Sequence, residues 1–124
     1  VGKLKLKIRY ICDNQAELAR GLMKRDINDD ECAFFDFKKK GCYGFWNRDV
    51  KYDLAVICAD ERMVIVDIFF LAAMSESSAY PESREVLYAI ECKRGVLEES
   101  TVEKGDHIDF DHETTSVVIK SGKD

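Results

Sequence analysis

One short stretch gathers several side chains that could do chemistry. Gly41 to Asp60 reads GCYGFWNRDVKYDLAVICAD, and in it the only tryptophan, Trp46, precedes Asn47, Arg48 and Asp49, with Asp53 four residues beyond Asp49. An indole face can stack on a sugar or another small polar molecule. Amide, guanidinium and carboxylate groups add directed, often bidentate, hydrogen bonds. Arg20 and Tyr80 could join the site from elsewhere in the chain. The candidate ligand-binding set is therefore Arg20, Trp46, Asn47, Arg48, Asp49, Asp53 and Tyr80. The plainer alternative makes Phe45 and Trp46 core residues and Asn47 to Asp53 a solvated hairpin.

Other chemistries are weaker. Asp49 and Asp53 flank an expected turn, and Asp60 ends the next strand. Two facing carboxylates could serve a hydrolase if burial raised one pKa. The chain has 24 acidic residues, so chance pairs are expected, and no catalytic residue is assigned. His107, Asp109 and Asp111 alternate on one strand face, a geometry that can hold a divalent ion. An exposed edge strand is the commoner setting for such a pattern, so no metal ligand and no cofactor are assigned. The five cysteines are Cys12, Cys32, Cys42, Cys58 and Cys92. They contain no CxxC pair, which argues against structural zinc. Each lies in or beside an apolar run and is read as a buried free thiol. One disulfide would fit an exported protein. Cys42 lies near Lys40 but has no histidine placed near it as a base.

Elements must position these residues. With 124 residues the chain fits one domain, 1–124, able to bury a core without disulfides or metal. The formal charge of -5 opposes a broad nucleic-acid surface. The local basic runs, Lys3 to Arg9 and Lys38 to Lys40, read as a wet strand face and a solvated turn. The longest apolar candidate, Met63 to Met74, is broken by Asp67 and is shorter than the roughly 18–20 residues of a membrane span. No membrane insertion is expected. The chain starts at Val1 rather than Met, so an exported location follows if a leader was removed, and a cytoplasmic one otherwise.

Leu4, Leu6, Ile8, Tyr10 and Cys12 alternate with Lys3, Lys5, Lys7 and Arg9, which predicts a half-buried strand. Asp13 or Asn14 can cap a helix over Gln15 to Lys24, with Ala16, Ala19, Leu22 and Met23 facing inward. Gly21 within it suggests close packing against a strand or an early helix end. Short strands are expected at Cys32 to Phe37 and Cys42 to Asn47, joined by a turn at Lys38 to Gly41. Leu54 to Ala59 reads as a central strand with Met63 to Phe70 as its hairpin partner. Residues 71–84 read as a loop that crosses the sheet edge. Glu85 to Cys92, His107 to Phe110 and Thr114 to Lys120 complete the strands. Gly95 to Thr101 allows one or two helical turns, and Ser121 to Asp124 trails off. The fold class is mainly β: a compact sandwich or barrel-like domain of seven to eight short strands with one N-terminal helix.

Several motifs stand in a particular order: ELARGLM at Glu17 to Met23, the aromatic strand Phe34 to Phe37, Phe45-Trp46, the apolar strand ending on Asp60, Tyr80-Pro81, YAIECKRG at Tyr88 to Gly95, and Gly105-Asp106. This series resembles the DUF192 family, also called UPF0127, over roughly residues 10–110. The resemblance implies a compact, mainly-β domain with a helix near its start, and it supplies no established activity. Many bacterial members carry export or lipoprotein leaders. Departures fall on polar positions. Leu18 stands where the family usually has Arg, and Asn47 to Val50 replace a Met-Lys-Asn-Thr run. Asp53-Leu54-Ala55 replaces Pro-Leu-Asp, and Thr101 replaces a Gly. The leading expectation is a non-enzymatic binding or accessory protein for a small polar or carbohydrate ligand near Trp46. A carboxylate-dependent hydrolase and a protein-interaction module that adds a strand at an exposed edge are the alternatives.

Overall fold

A computed structural model describes residues 2–122; the trailing residues 123 and 124 lie outside them. Seven strands and two short helices run β1 (Gly2–Cys12), α1 (Gln15–Arg20), β2 (Glu31–Gly41), β3 (Leu54–Ala59), β4 (Ile65–Leu71), β5 (Val86–Lys93), α2 (Arg94–Glu98), β6 (His107–Asp111) and β7 (Ser116–Lys120). One sheet holds all seven in the order β4-β3-β5-β2-β1-β7-β6. β1 and β2 are parallel and every other pair is antiparallel. The sheet curls into a half-barrel whose outer strands meet at one end. There Val64 bridges His107, Ile65 donates to the Asp106 carbonyl (2.9 Å), and Gly105 donates back to Ile65 (2.9 Å).

Two apolar clusters line the two faces of the sheet. The first draws from all seven strands, with Leu6, Phe34, Ile57, Ile65, Ile90, Ile108 and Ile119, and Leu97 of α2 joins it. Side chains from every strand can converge only inside the curl, so this is the concave core. The second covers the outer face around Phe35, Val56, Leu54 and Ala89. Leu22, Ile27, Phe45 and Val50 from the connecting segments lie over it. Strands buried on both faces lose the polar–apolar alternation, and all six residues of β3 are buried.

A bulge in β1 decides which face its residues serve. Ile8 pairs with Cys32 but Tyr10 pairs with Ala33, so Arg9 is the extra residue. Leu4, Leu6 and Ile8 therefore join the inner core, while Tyr10 and Cys12 join the outer one.

The structure corrects four sequence expectations. The helix is not confined to the N-terminal part, because Arg94 to Glu98 forms a second one. α1 stops at Arg20 rather than Lys24, and Ala16 and Ala19 are exposed, leaving Leu18 and Leu22 to pack. Lys38 to Gly41 is not a turn: β2 runs through it. Lys38 takes φ 66° and its amide donates to Asp36 Oδ1, so the register with β5 slips and resumes at Gly41 opposite Val86. Cys42 to Asn47 forms no full strand, and only Phe45 makes a bridge, to Ala79.

Candidate functional site

The site begins at the end of α1. Asn14 caps the helix by accepting from the Glu17 amide through Oδ1 (3.0 Å). Gly21 then breaks it with φ 52° and ψ -123°, a conformation that disfavours any side chain. Arg25 locks this turn. Its Nη1 and Nη2 donate to Glu17 Oε2 (2.8 Å) and Oε1 (3.1 Å), and Nη1 also reaches the Gly21 carbonyl (3.2 Å). The hydrogen bonds from Arg25 hold the Glu17 carboxyl below its ordinary range.

A second wall comes from two loops pinned together. Phe45 and Ala79 exchange backbone hydrogen bonds of 2.8 Å each way. The residues that follow them, Trp46 and Tyr80, are thereby carried to the same cleft. Gly44 allows Tyr80 to lie against the backbone, since a Cβ there would stand 2.7 Å from the ring carbons Cε2 and Cζ. Phe45 itself is buried, edge-on to Phe35, Phe37 and Phe69.

Between these walls lies a cleft of about 380 Å³, bordered by Leu18, Ala19, Arg20 and Gly21 on one side and Gly44, Phe45, Trp46, Ser78 and Tyr80 on the other. Its sheet floor carries Phe35, Phe37 and Glu91. Glu91 sits in β5 between Ala33 of β2 and Val56 of β3. It is only 3% exposed. Its carboxyl has no hydrogen-bond or ion-pair partner among the described residues. Burial alone pushes its pKa up to about 8, so the group is mostly protonated at neutral pH.

The cleft brings together three of the seven sequence-predicted site residues, Arg20, Trp46 and Tyr80. Trp46 is 38% exposed and Tyr80 62%. Arg20 is exposed, and its Nε donates to the Met23 carbonyl (3.2 Å). Arg48 and Asp49 fall in an adjoining recess that shares Arg20 and Trp46. The Arg48 guanidinium lies 5.4 Å from the centre of the indole.

Asn47 and Asp53 do not line the cleft. Asn47 is fully buried and its Nδ2 donates to the carbonyls of Tyr52 and Ala72, 3.0 Å each. It clamps the loop that presents Trp46. Asp53 Oδ1 accepts from the Ala73 amide (2.8 Å) and borders a separate groove with Lys93 and Arg94. Asp49 and Asp53 thus share no cleft, which removes the geometric basis for pairing them in a hydrolase.

The remaining candidates are engaged elsewhere. His107 Nδ1 is 2.9 Å from Asp109 Oδ1, Asp109 Oδ2 is 2.9 Å from Lys120 Nζ, and Asp111 meets Lys5 at 3.3 Å. Four thiols are free and buried, whereas Cys42 is exposed, with Sγ 3.3 Å from the Pro81 carbonyl. It is exposed because its stretch forms no strand that would cover it. Sequence reasoning passed over Glu91, although a signal existed: it is the one charged residue between Val86 and Cys92 in an otherwise apolar strand.

A curled, mainly-β sheet with an aromatic cleft on its outer face defines the class of protein. The DUF192 family, described as Uncharacterized ACR, matches residues 2–110, and the chain belongs to that family. A protein of unknown function from Novosphingobium aromaticivorans has the same fold, with a TM-score of 0.75 and 22% identity over 81% of this chain and 72% of that one. A Sinorhizobium meliloti protein named "putative transcription regulator" superposes with a TM-score of 0.74 and 19% identity over 86% of this chain and 94% of its own. No curated protein matches the sequence. At these identities the likeness concerns the fold alone.

Proposed function

We propose that this domain binds a small polar ligand in the Trp46 cleft and has no catalytic role of its own. One observation carries the reading: the buried, unpartnered carboxyl of Glu91 opens onto the same cleft as the part-exposed Trp46 ring. The described residues give that carboxyl no hydrogen bond, so its partner has to come from what enters the cleft. The cleft volume lies within the usual range for small-molecule sites. Trp46 supplies a stacking face and also the readout, since it is the only tryptophan. Titrating its fluorescence with sugars, nucleotides and amines should identify a compound that Trp46→Ala no longer binds. A panel that leaves both the fluorescence and the melting temperature unmoved would sink the reading.

A second reading, a hydrolase, draws on the same residue. A carboxylic acid kept protonated at neutral pH is what general-acid catalysis needs. Here Glu91 would take the role first considered for Asp49 and Asp53. Glu91 is the only carboxylate among the residues lining the cleft, so a two-carboxylate mechanism lacks its second member. This difference favours binding over catalysis.

A further inference from the structure

This inference rests on the ligand-binding reading and names the ligand's class. We propose that the Trp46 cleft takes an organic cation, an alkylammonium group held against the aromatic walls with Glu91 beneath it as the balancing anion. A buried carboxyl normally finds a cation within the protein. Among the described residues no cation is bonded to Glu91. Arg25 is bound to Glu17, Lys93 lies 3.4 Å from Asp29 and 5.0 Å from the centre of the Tyr52 ring, and Arg20, which borders the cleft, directs its Nε to the Met23 carbonyl. The cleft that Glu91 opens onto is also lined by Phe35, Phe37, Phe45, Trp46 and Tyr80, and aromatic faces attract cations. Arg48 over Trp46 shows that this indole already accepts a guanidinium. A polyhydroxyl ligand would find Arg20, Ser78 and Tyr80 only at the borders, while the floor offers the rings of Phe35 and Phe37 beside one carboxyl.

Charge balance makes the binding proton-linked. In the free protein Glu91 is mostly protonated below about pH 8, through burial. When the cation enters, the carboxyl O–H releases its proton to solvent and the carboxylate is left beside the ammonium. Cys12 of β1, Cys58 of β3, Cys92 of β5 and Tyr52 are within electrostatic reach of Glu91. Burial raises the pKa of all four, so they stay neutral near pH 7. Glu17 and Arg25 form a closed pair, and Arg20 borders the cleft.

The test uses choline and its neutral carbon isostere 3,3-dimethylbutan-1-ol, read by Trp46 fluorescence and calorimetry. The proteins compared are the wild type, Glu91→Gln and Trp46→Ala. Choline should bind the wild type, with affinity rising about tenfold per pH unit below about pH 8 and levelling above it. Close to one proton should be released per choline near pH 7. Glu91→Gln should bind at least about tenfold more weakly, with no pH dependence. Circular dichroism checks that this variant folds, and if it does not, proton release by the wild type decides. Equal binding of the isostere, or no proton release, overturns the cation while leaving the cleft a ligand site. Failure of both probes together with the wider panel overturns both.

Discussion

A Cβ placed on Gly21 would stand 3.5 Å from Oε1 of Glu91 and 3.3 Å from Cζ of Phe35. The end of α1 thus sits directly on the residue that distinguishes the cleft floor. Gly21→Ala should destabilise the protein by about 1–3 kcal/mol, because alanine is strained at φ 52°. It should also narrow the cleft over Glu91. Urea unfolding and probe titration separate the two effects. Unchanged stability would mean that the turn relaxes away from its positive φ.

Glu91 should make stability fall towards alkaline pH. Its folded pKa of about 8 lies above the ordinary value of 4.5, so the folded state holds a proton that the unfolded state has lost. Unfolding free energy should decline by up to about 1.4 kcal/mol per pH unit across that interval. Glu91→Gln, which is never ionised, should lack this decline. Urea titrations at several pH values from acid to alkaline would show the wild-type and variant curves diverging as pH rises. Parallel curves would refute the buried ionisation.

Asp106 works in the opposite direction. Burial would raise its pKa, but Lys3 Nζ at 2.8 Å and the amides of Glu103 and Gly122 outweigh that and hold it below the ordinary value. Its contribution is present above the unfolded carboxyl's pKa of about 4 and is lost as pH falls through the lower folded value. Asp106→Asn should cost about 2–4 kcal/mol at neutral pH, since Lys3 loses a partner that is 2% exposed. Its acid unfolding should be flatter than that of the wild type.

Asn47→Ala should leave the carbonyls of Tyr52 and Ala72 without their donor and lower stability by about 2–3 kcal/mol. Because the loop presents Trp46, the indole emission should also shift to the red. Asn47→Asp removes the donors as well and places a carboxylate against the same carbonyls, so it should be worse at neutral pH. A fully stable Asn47→Ala with native emission would show that the clamp is dispensable.

Gly44→Ala should push the Tyr80 ring, which is mostly exposed, away from the cleft. Stability should change by less than about 1 kcal/mol, because an exposed ring can swing into solvent. Binding of any ligand that Trp46→Ala abolishes should weaken. Intact binding would remove Tyr80 from the site.

The amino-acid sequence by itself determined the mainly-β class, because alternation in Lys3 to Cys12 and the apolar run Leu54 to Ala59 admit little else. It also determined the family, through motifs that are mostly framework, whereas Gly21 left open whether the helix ended there or ran on to Lys24. It could not show that Lys38 carries a bulge rather than a turn, because a positive φ at lysine depends on local hydrogen bonds such as that to Asp36. The split of β1 between two cores was likewise hidden. Leu4 to Cys12 keep one parity in the sequence, and only the bulge at Arg9 turns Tyr10 and Cys12 to the other face.

Trp46 was legible as a candidate from its neighbours, but the neighbours themselves were not. Asn47 and Asp53 are polar in the sequence and structural in the fold, because each finds backbone partners from the segment Ala72–Ala73, about 20 residues away or more. Glu91, 45 positions beyond Trp46, meets the cleft only because β5 lies between β2 and β3 beneath the end of α1. Local sequence sets strand, turn and cap through short-range sterics and periodicity. Which polar side chain reaches the floor of the cleft depends on long-range strand order, and only the tertiary structure decided that.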